Sequence, residues 1–98
     1  MTIDIKRNAE ETVIEIVGRL DTTTAPALDK TAKDDLGDTK KLVLDFKGLE
    51  YISSAGLRVL LAAQKVMNKQ GEMIIKNVNE TITEIFEVTG FIDILTIE

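Results

Sequence analysis

Histidine is absent from this sequence, and so is cysteine. Without histidine the chain cannot build a Ser–His–Asp triad or a histidine-ligated zinc or iron centre of its own. It also lacks the commonest general base near neutral pH. Without cysteine there is no disulfide, no thiolate nucleophile and no thiolate metal site. Tryptophan is missing too, and Tyr51 is the one tyrosine, so an aromatic platform for stacking single-stranded nucleic acid is not expected. Positive charge is scarce: 12 Lys and Arg face 17 Asp and Glu, a net charge of −5. Nucleic-acid binding, which needs clustered basic residues, is disfavoured. No apolar run approaches the ~18 residues of a membrane span, and no basic segment leads into a signal-peptide core. The expectation is a soluble cytoplasmic protein with neither membrane nor nucleic acid as partner. Neither a Walker sequence nor GxGxxG occurs, and Asp34, Asp35 and Asp38 do not match the spacing of a calcium loop. No cofactor and no metal are expected.

What is present suits a small folded domain. Ninety-eight residues, 44% hydrophobic and 30% charged, fit one domain over residues 1–98 with a modest core. Ile3 and Ile5 alternate with Asp4 and Lys6, which predicts a short strand. A turn at Asn8-Ala9 with Glu10 and Glu11 leads to a second β-rich run, Val13 to Val17, ending at Gly18. The two should form an antiparallel hairpin. Thr22, Thr23 and Thr24 then precede Pro26, a start signal for a helix. Ala25, Leu28, Ala32 and Leu36 share one face of it, and Gly37 ends it.

The near-continuous apolar run Leu42 to Phe46 predicts a strand covered on both faces. A loop through Gly48 follows, then a helix from about Ser54 to Asn68, stopped by Gly71. Met73, Ile74 and Ile75 predict another strand. Asn79 is placed to cap a helix carrying Ile82, Ile85, Phe86 and Thr89, which Gly90 stops. Ile94, Leu95 and Ile97 predict a closing strand. The order is β-β-α-β-α-β-α-β: an α/β domain with a mixed, largely parallel sheet.

The strand-to-helix junction around Ser53 and Ser54 is the main candidate site. A serine before an apolar helical run is an ordinary helix cap. It is equally a place where an added phosphate would meet free backbone N–H groups and the positive end of a helix dipole. The two readings are compatible. Ala55 and Gly56 follow and would permit close approach of a partner or a neighbouring loop. The helix shows two apolar stripes, Leu57/Leu60/Leu61/Gln64 and Val59/Ala62/Ala63/Val66. Either both pack into the core, or the first turn near Leu57 and Arg58 stays open to a partner. Asp21 serves either a local turn or a binding face shared with the Ser54 loop at the carboxyl end of the sheet.

Taken in order, several segments resemble STAS domains of the anti-sigma-factor antagonist type. They are Gly18-Arg19-Leu20-Asp21 with Thr24-Ala25-Pro26, Leu42-Val43-Leu44-Asp45 leading to Tyr51-Ile52-Ser53-Ser54-Ala55-Gly56-Leu57, the strand entry Gly71-Glu72-Met73, and Ile85 to Phe91. The resemblance spans essentially the whole chain. It implies a non-enzymatic binding module that engages an anti-sigma factor which is also a serine kinase, freeing a sigma factor. Phosphorylation at the start of the second helix releases the partner, and a serine phosphatase restores binding. The matching acceptor is Ser54, with Ser53 as the alternative. The implied partner-binding residues are Asp21, Thr23, Ser53, Ala55, Gly56, Leu57 and Arg58, on a monomer. Ser53 stands where many members carry Asp, and Ala55 where they carry Ser or Thr. A STAS subunit that is never phosphorylated and scaffolds a signalling or transport assembly is the second reading. Ser54 as a catalytic nucleophile, with no histidine base, is the third.

Overall fold

Period-two alternation at the start of the chain puts Ile3 and Ile5 on one side and Asp4 and Lys6 on the other, and the hairpin follows from it. The computed structural model describes residues 1–8 and 10–98, except for the side chain of Asp35. Strand β1 (Thr2–Arg7) pairs antiparallel with β2 (Glu11–Leu20), setting Ile3 opposite Ile16 and Ile5 opposite Ile14. Of the expected turn, Ala9 lies outside the described residues. Beside it the Asn8 side chain accepts from the backbone N–H of Glu11 at 3.0 Å. Helix α1 (Ala25–Asp35) returns the chain to β3 (Lys41–Ile52), which lies parallel to β2. Helix α2 (Ser54–Gln70) then leads to β4 (Glu72–Lys76), parallel to β3, and α3 (Glu80–Thr89) follows. The four strands lie in the order β1-β2-β3-β4.

One buried face of this sheet carries the core. Ile14, Leu44 and Ile75 stand side by side across the register, and Thr12, Leu42 and Met73 form the next row. Leu28 of α1, Leu60 and Met67 of α2, and Ile82 and Phe86 of α3 join the same cluster. Burying a large aliphatic or aromatic side chain contributes about 1.5–3 kcal/mol each. These contacts therefore hold the three helices on the sheet far more strongly than helix propensity does. Asn79 caps α3 as expected: its Oδ1 accepts from the N–H of Ile82 and its Nδ2 donates to Leu49 O, both at 2.9 Å.

Three expectations are corrected. First, β3 does not end at Phe46. It runs through Gly48 to Ile52, with irregular pairing opposite Glu15–Val17 and Gly18–Arg19. A Cβ on Gly48 would stand 2.8 Å from Val17 Cγ2, so glycine lets the strands stay close where the register shifts. Second, the closing strand is a single parallel bridge between Ile75 and Ile97, held by Ile75 N–H to Thr96 O and Glu98 N–H to Ile75 O at 2.9 Å. A 3-10 turn, Phe91–Asp93, follows Gly90, whose φ of 82° is left-handed. Ile94 directly after this turn is 48% exposed, and the chain reaches β4 only at Ile97. Third, the two stripes of α2 do not share one fate. Leu57, Val59, Leu60, Ala63, Gln64 and Met67 are buried, whereas Ala62 and Val66 face outward.

Candidate functional site

The length of β3 decides where the site lies. Because β2 and β3 stay paired as far as Leu20 and Ile52, both chains leave the sheet at the same end. The segment after β2 and the start of α2 are therefore neighbours. The N–H of Ser53 donates to Leu20 O at 2.8 Å and fastens the junction. This is the carboxyl end of the parallel strands, where α/β sheets commonly present their ligand sites.

Asp21 organises the first of the two segments. Its Oδ1 accepts from the Thr23 N–H at 3.0 Å, the Thr23 hydroxyl at 2.7 Å and the Thr24 N–H at 3.2 Å. Thr24 does not cap α1 with its side chain. Its hydroxyl instead accepts from the Asp21 N–H and donates to Arg19 O, each at 2.8 Å. Asp21 therefore makes a tight local turn, and that turn stands beside the Ser54 junction, at the same end of the sheet. Arg19 lies on the outer side, 3.8 Å from Asp21 Oδ2 and 4.6 Å over the Tyr51 ring.

The hydroxyl of Thr23, then the N–H groups of Thr23 and Thr24, hold the Asp21 carboxyl below its ordinary value. A folded-state pKa below the unfolded one adds stability that is present above the ordinary carboxylate range and lost as pH falls through the folded value. Acidification into that range is expected to loosen this turn. Asp21→Asn should remove part of the acid dependence of thermal stability while leaving the neutral-pH fold recognisable by circular dichroism. An unchanged acid profile would count against this role.

Helix α2 begins without a side-chain cap. Ser53 occupies the cap position with φ −99° and ψ 177°, yet its side chain makes no capping bond. Its Oγ is buried and has no hydrogen-bond partner. The N–H groups of the first turn have no acceptor four residues earlier within the helix, so they remain available at the positive end of the dipole. Ser54, the first helical residue, is exposed. Ala55 is half-buried, and Arg58 is exposed one turn later.

Gly56 and Leu57, expected to touch a partner, are instead buried. A Cβ on Gly56 would stand 2.7 Å from Leu20 Cγ and 2.8 Å from Ile52 Cγ1. The close approach that its glycine implied is made to the chain's own strand ends. Both residues support the site from below.

A shallow groove of about 330 Å³ runs between the starts of α1 and α2. Ala55, Arg58 and Val59 form one wall, and Thr22, Ala25, Pro26 and Asp29 form the other. The α1 wall was missed as a site by sequence reasoning. Pro26 and Asp29, three apart and off the apolar face of α1, were its only trace. Neither Ser53 nor Ser54 is hydrogen-bonded to a base among the described residues. The arrangement offers an exposed hydroxyl, a free helix start and a mixed apolar and charged groove. Among the described residues no helix is long and apolar enough to cross a membrane.

The comparisons with known proteins agree on the family of the chain. The family model of the STAS domain matches residues 2–98. BtrV of Bordetella bronchiseptica is 42% identical over 67 residues, a match spanning 67% of this chain and 57% of that protein. The anti-sigma-B factor antagonist of Listeria monocytogenes is 30% identical over 102 residues, taking in 100% of this chain and 89% of the relative. The crystal structure of an anti-sigma factor antagonist from Mycobacterium paratuberculosis superposes with a TM-score of 0.88 at 23% identity, over 98% of this chain and 83% of that one. With a whole-length family match and a whole-length relative in hand, the chain belongs to the STAS domain family, among its anti-sigma factor antagonists.

Proposed function

We propose that this protein is a partner-switching regulator of transcription. In its unmodified form it binds an anti-sigma factor that is also a serine kinase, and a sigma factor is set free. Phosphorylation of Ser54 ends the binding, and a serine phosphatase restores it. The chain acts as a cytoplasmic monomer and catalyses nothing itself. The observation that carries this reading is the exposed Ser54 hydroxyl on an uncapped helix start, beside an open groove.

The physical chemistry supports a switch. A phosphate at Ser54 adds a charge of about −1.5 to −2 to a chain already at −5. The first-turn N–H groups and the dipole stabilise that anion where it sits. Partner contacts fitted to a neutral hydroxyl then meet a strongly hydrated group, with the cost of desolvation and of repulsion from any acidic surface. A tenfold loss of affinity requires only about 1.4 kcal/mol.

The test is comparative capture from native lysate on Ser54→Ala and Ser54→Asp baits, with bound proteins identified by mass spectrometry. Dissociation constants are then measured for the purified partner. The expected result is an ATP-binding, kinase-like protein held by the Ala form and bound at least about tenfold more weakly by the Asp form. Equal affinity for the two variants would sink the switch and leave Ser54 as the first residue of a helix. Stable complexes that ignore Ser54 would favour a scaffold role.

A further inference from the structure

Resting on the reading of Ser54 as phosphoacceptor, we infer that Arg58 is an intramolecular latch for the phosphate. Ser54 and Arg58 are both exposed on α2 and stand four residues apart. Residues at that spacing are neighbours on one helix face, about 5–6 Å apart at Cβ. Helical side chains lean toward the N-terminus, so a long side chain covers the turn before its own Cα. For Arg58 that turn is the one that begins with Ser54. The order also suits the pair: the anion precedes the cation, in line with the helix dipole. A guanidinium fork matches phosphate oxygens with two parallel N–H bonds.

Arg58 is uncommitted in the unmodified protein. Among the described residues none of the ion pairs includes it. The acid on the opposite wall of the groove, Asp29, is held by Lys33 at 2.9 Å. The other arginine near this end of the sheet, Arg19, is taken up by the Tyr51 ring and Asp21. Arg58 is therefore a free cation on the groove wall until a phosphate arrives one turn before it. Phosphorylation then changes two charges on the docking face: it adds an anion and withdraws this cation from any partner. Coulomb attraction and the fork geometry both favour closure, and neither requires the backbone to move.

The experiment installs phosphoserine at position 54 during synthesis of the full chain, in the wild type and in the Arg58→Gln and Arg58→Lys variants. Phosphorus NMR follows the second ionisation of the phosphate, ordinarily near pH 6, at low salt. The expected result is a titration about 0.3–0.7 pH unit lower in the wild type than in Arg58→Gln. Arg58→Lys should recover part of the shift, and 1 M salt should collapse it. The helix N–H groups act alike in all three proteins and cancel in the comparison. Identical titrations in the wild type and Arg58→Gln would overturn the latch. Because the phosphate is built in, this result does not depend on any kinase. Failure of the switch itself shows elsewhere, as equal partner affinity for Ser54→Ala and Ser54→Asp.

Discussion

Gly71→Ala is expected to destabilise the domain by about 3 kcal/mol or more. That is a large share of the ~5–15 kcal/mol that holds a domain folded. Gly71 is the whole connection between α2 and β4. The obstacle to a side chain there is backbone: a Cβ would stand 1.8 Å from Lys40 O and 2.6 Å from its carbonyl carbon. Lys40 cannot retreat cheaply. Its carbonyl accepts the Glu72 N–H at 2.9 Å, and its own N–H donates to Glu10 O at 2.9 Å. The same segment is held by Gln70, whose Nε2 donates to Gly37 O at 3.0 Å and to Thr39 O at 2.8 Å. One methyl group must therefore either break the entry to β4 or lift the end of α2 from the sheet. For a domain of this size the loss corresponds to a fall in melting temperature of roughly 12–24 °C, readable by circular dichroism. A variant melting within a few degrees of the wild type would show that the connection can be rebuilt.

Gly71 also marks how far the sequence could be read. It was legible as a helix stop, because an apolar helical run ends beside it. The packing of Lys40 against it was not, since that contact joins segments some thirty positions apart. The same division runs through the rest of the fold. Local signals placed the hairpin, the three helices and the cap at Asn79, where side chain and backbone meet within a few residues. The apolar pattern lost β3 after Phe46 because Lys47 and Gly48 interrupt it, although pairing with β2 carries the strand on to Ile52. It overextended the C-terminus because Ile94, Leu95 and Ile97 look like a strand, whereas Ile94 is 48% exposed and one bridge at Ile97 is all that forms. At the site, Asp21, Ser53 and Ser54 stood out by residue type and position. Which of their neighbours face outward did not. Gly56 and Leu57 lie between Ala55 and Arg58 in sequence but on the buried side of the helix.

Gly56→Val is expected to weaken partner binding without touching Ser54. Gly56 sits in the first turn of α2 with Leu20 Cγ and Ile52 Cγ1 where its Cβ would go. Both neighbours are essentially fully buried, at 0% and 1% exposure, and are hemmed in by the core. Relief must come from the helix start moving away. That movement pulls on the Ser53 N–H to Leu20 O bond, which fastens the helix start to β2, and shifts Ala55 and Arg58 relative to the α1 wall of the groove. Overpacking of this kind costs about 1–3 kcal/mol, and a β-branched side chain stands at the upper end. Gly56→Ala should cost less, because the ~1 kcal/mol gain in helix propensity offsets part of the strain. The order of stability should therefore be wild type, then Gly56→Ala, then Gly56→Val, in urea or thermal unfolding. Partner affinity should fall in the same order in a Ser54→Ala background, where no phosphate can form. If Gly56→Val bound its partner as tightly as the wild type while melting earlier, the helix start would not be part of the docking face. If affinity and stability fall together while circular dichroism shows a folded protein, the groove geometry set by Leu20, Ile52 and Gly56 is what the partner reads.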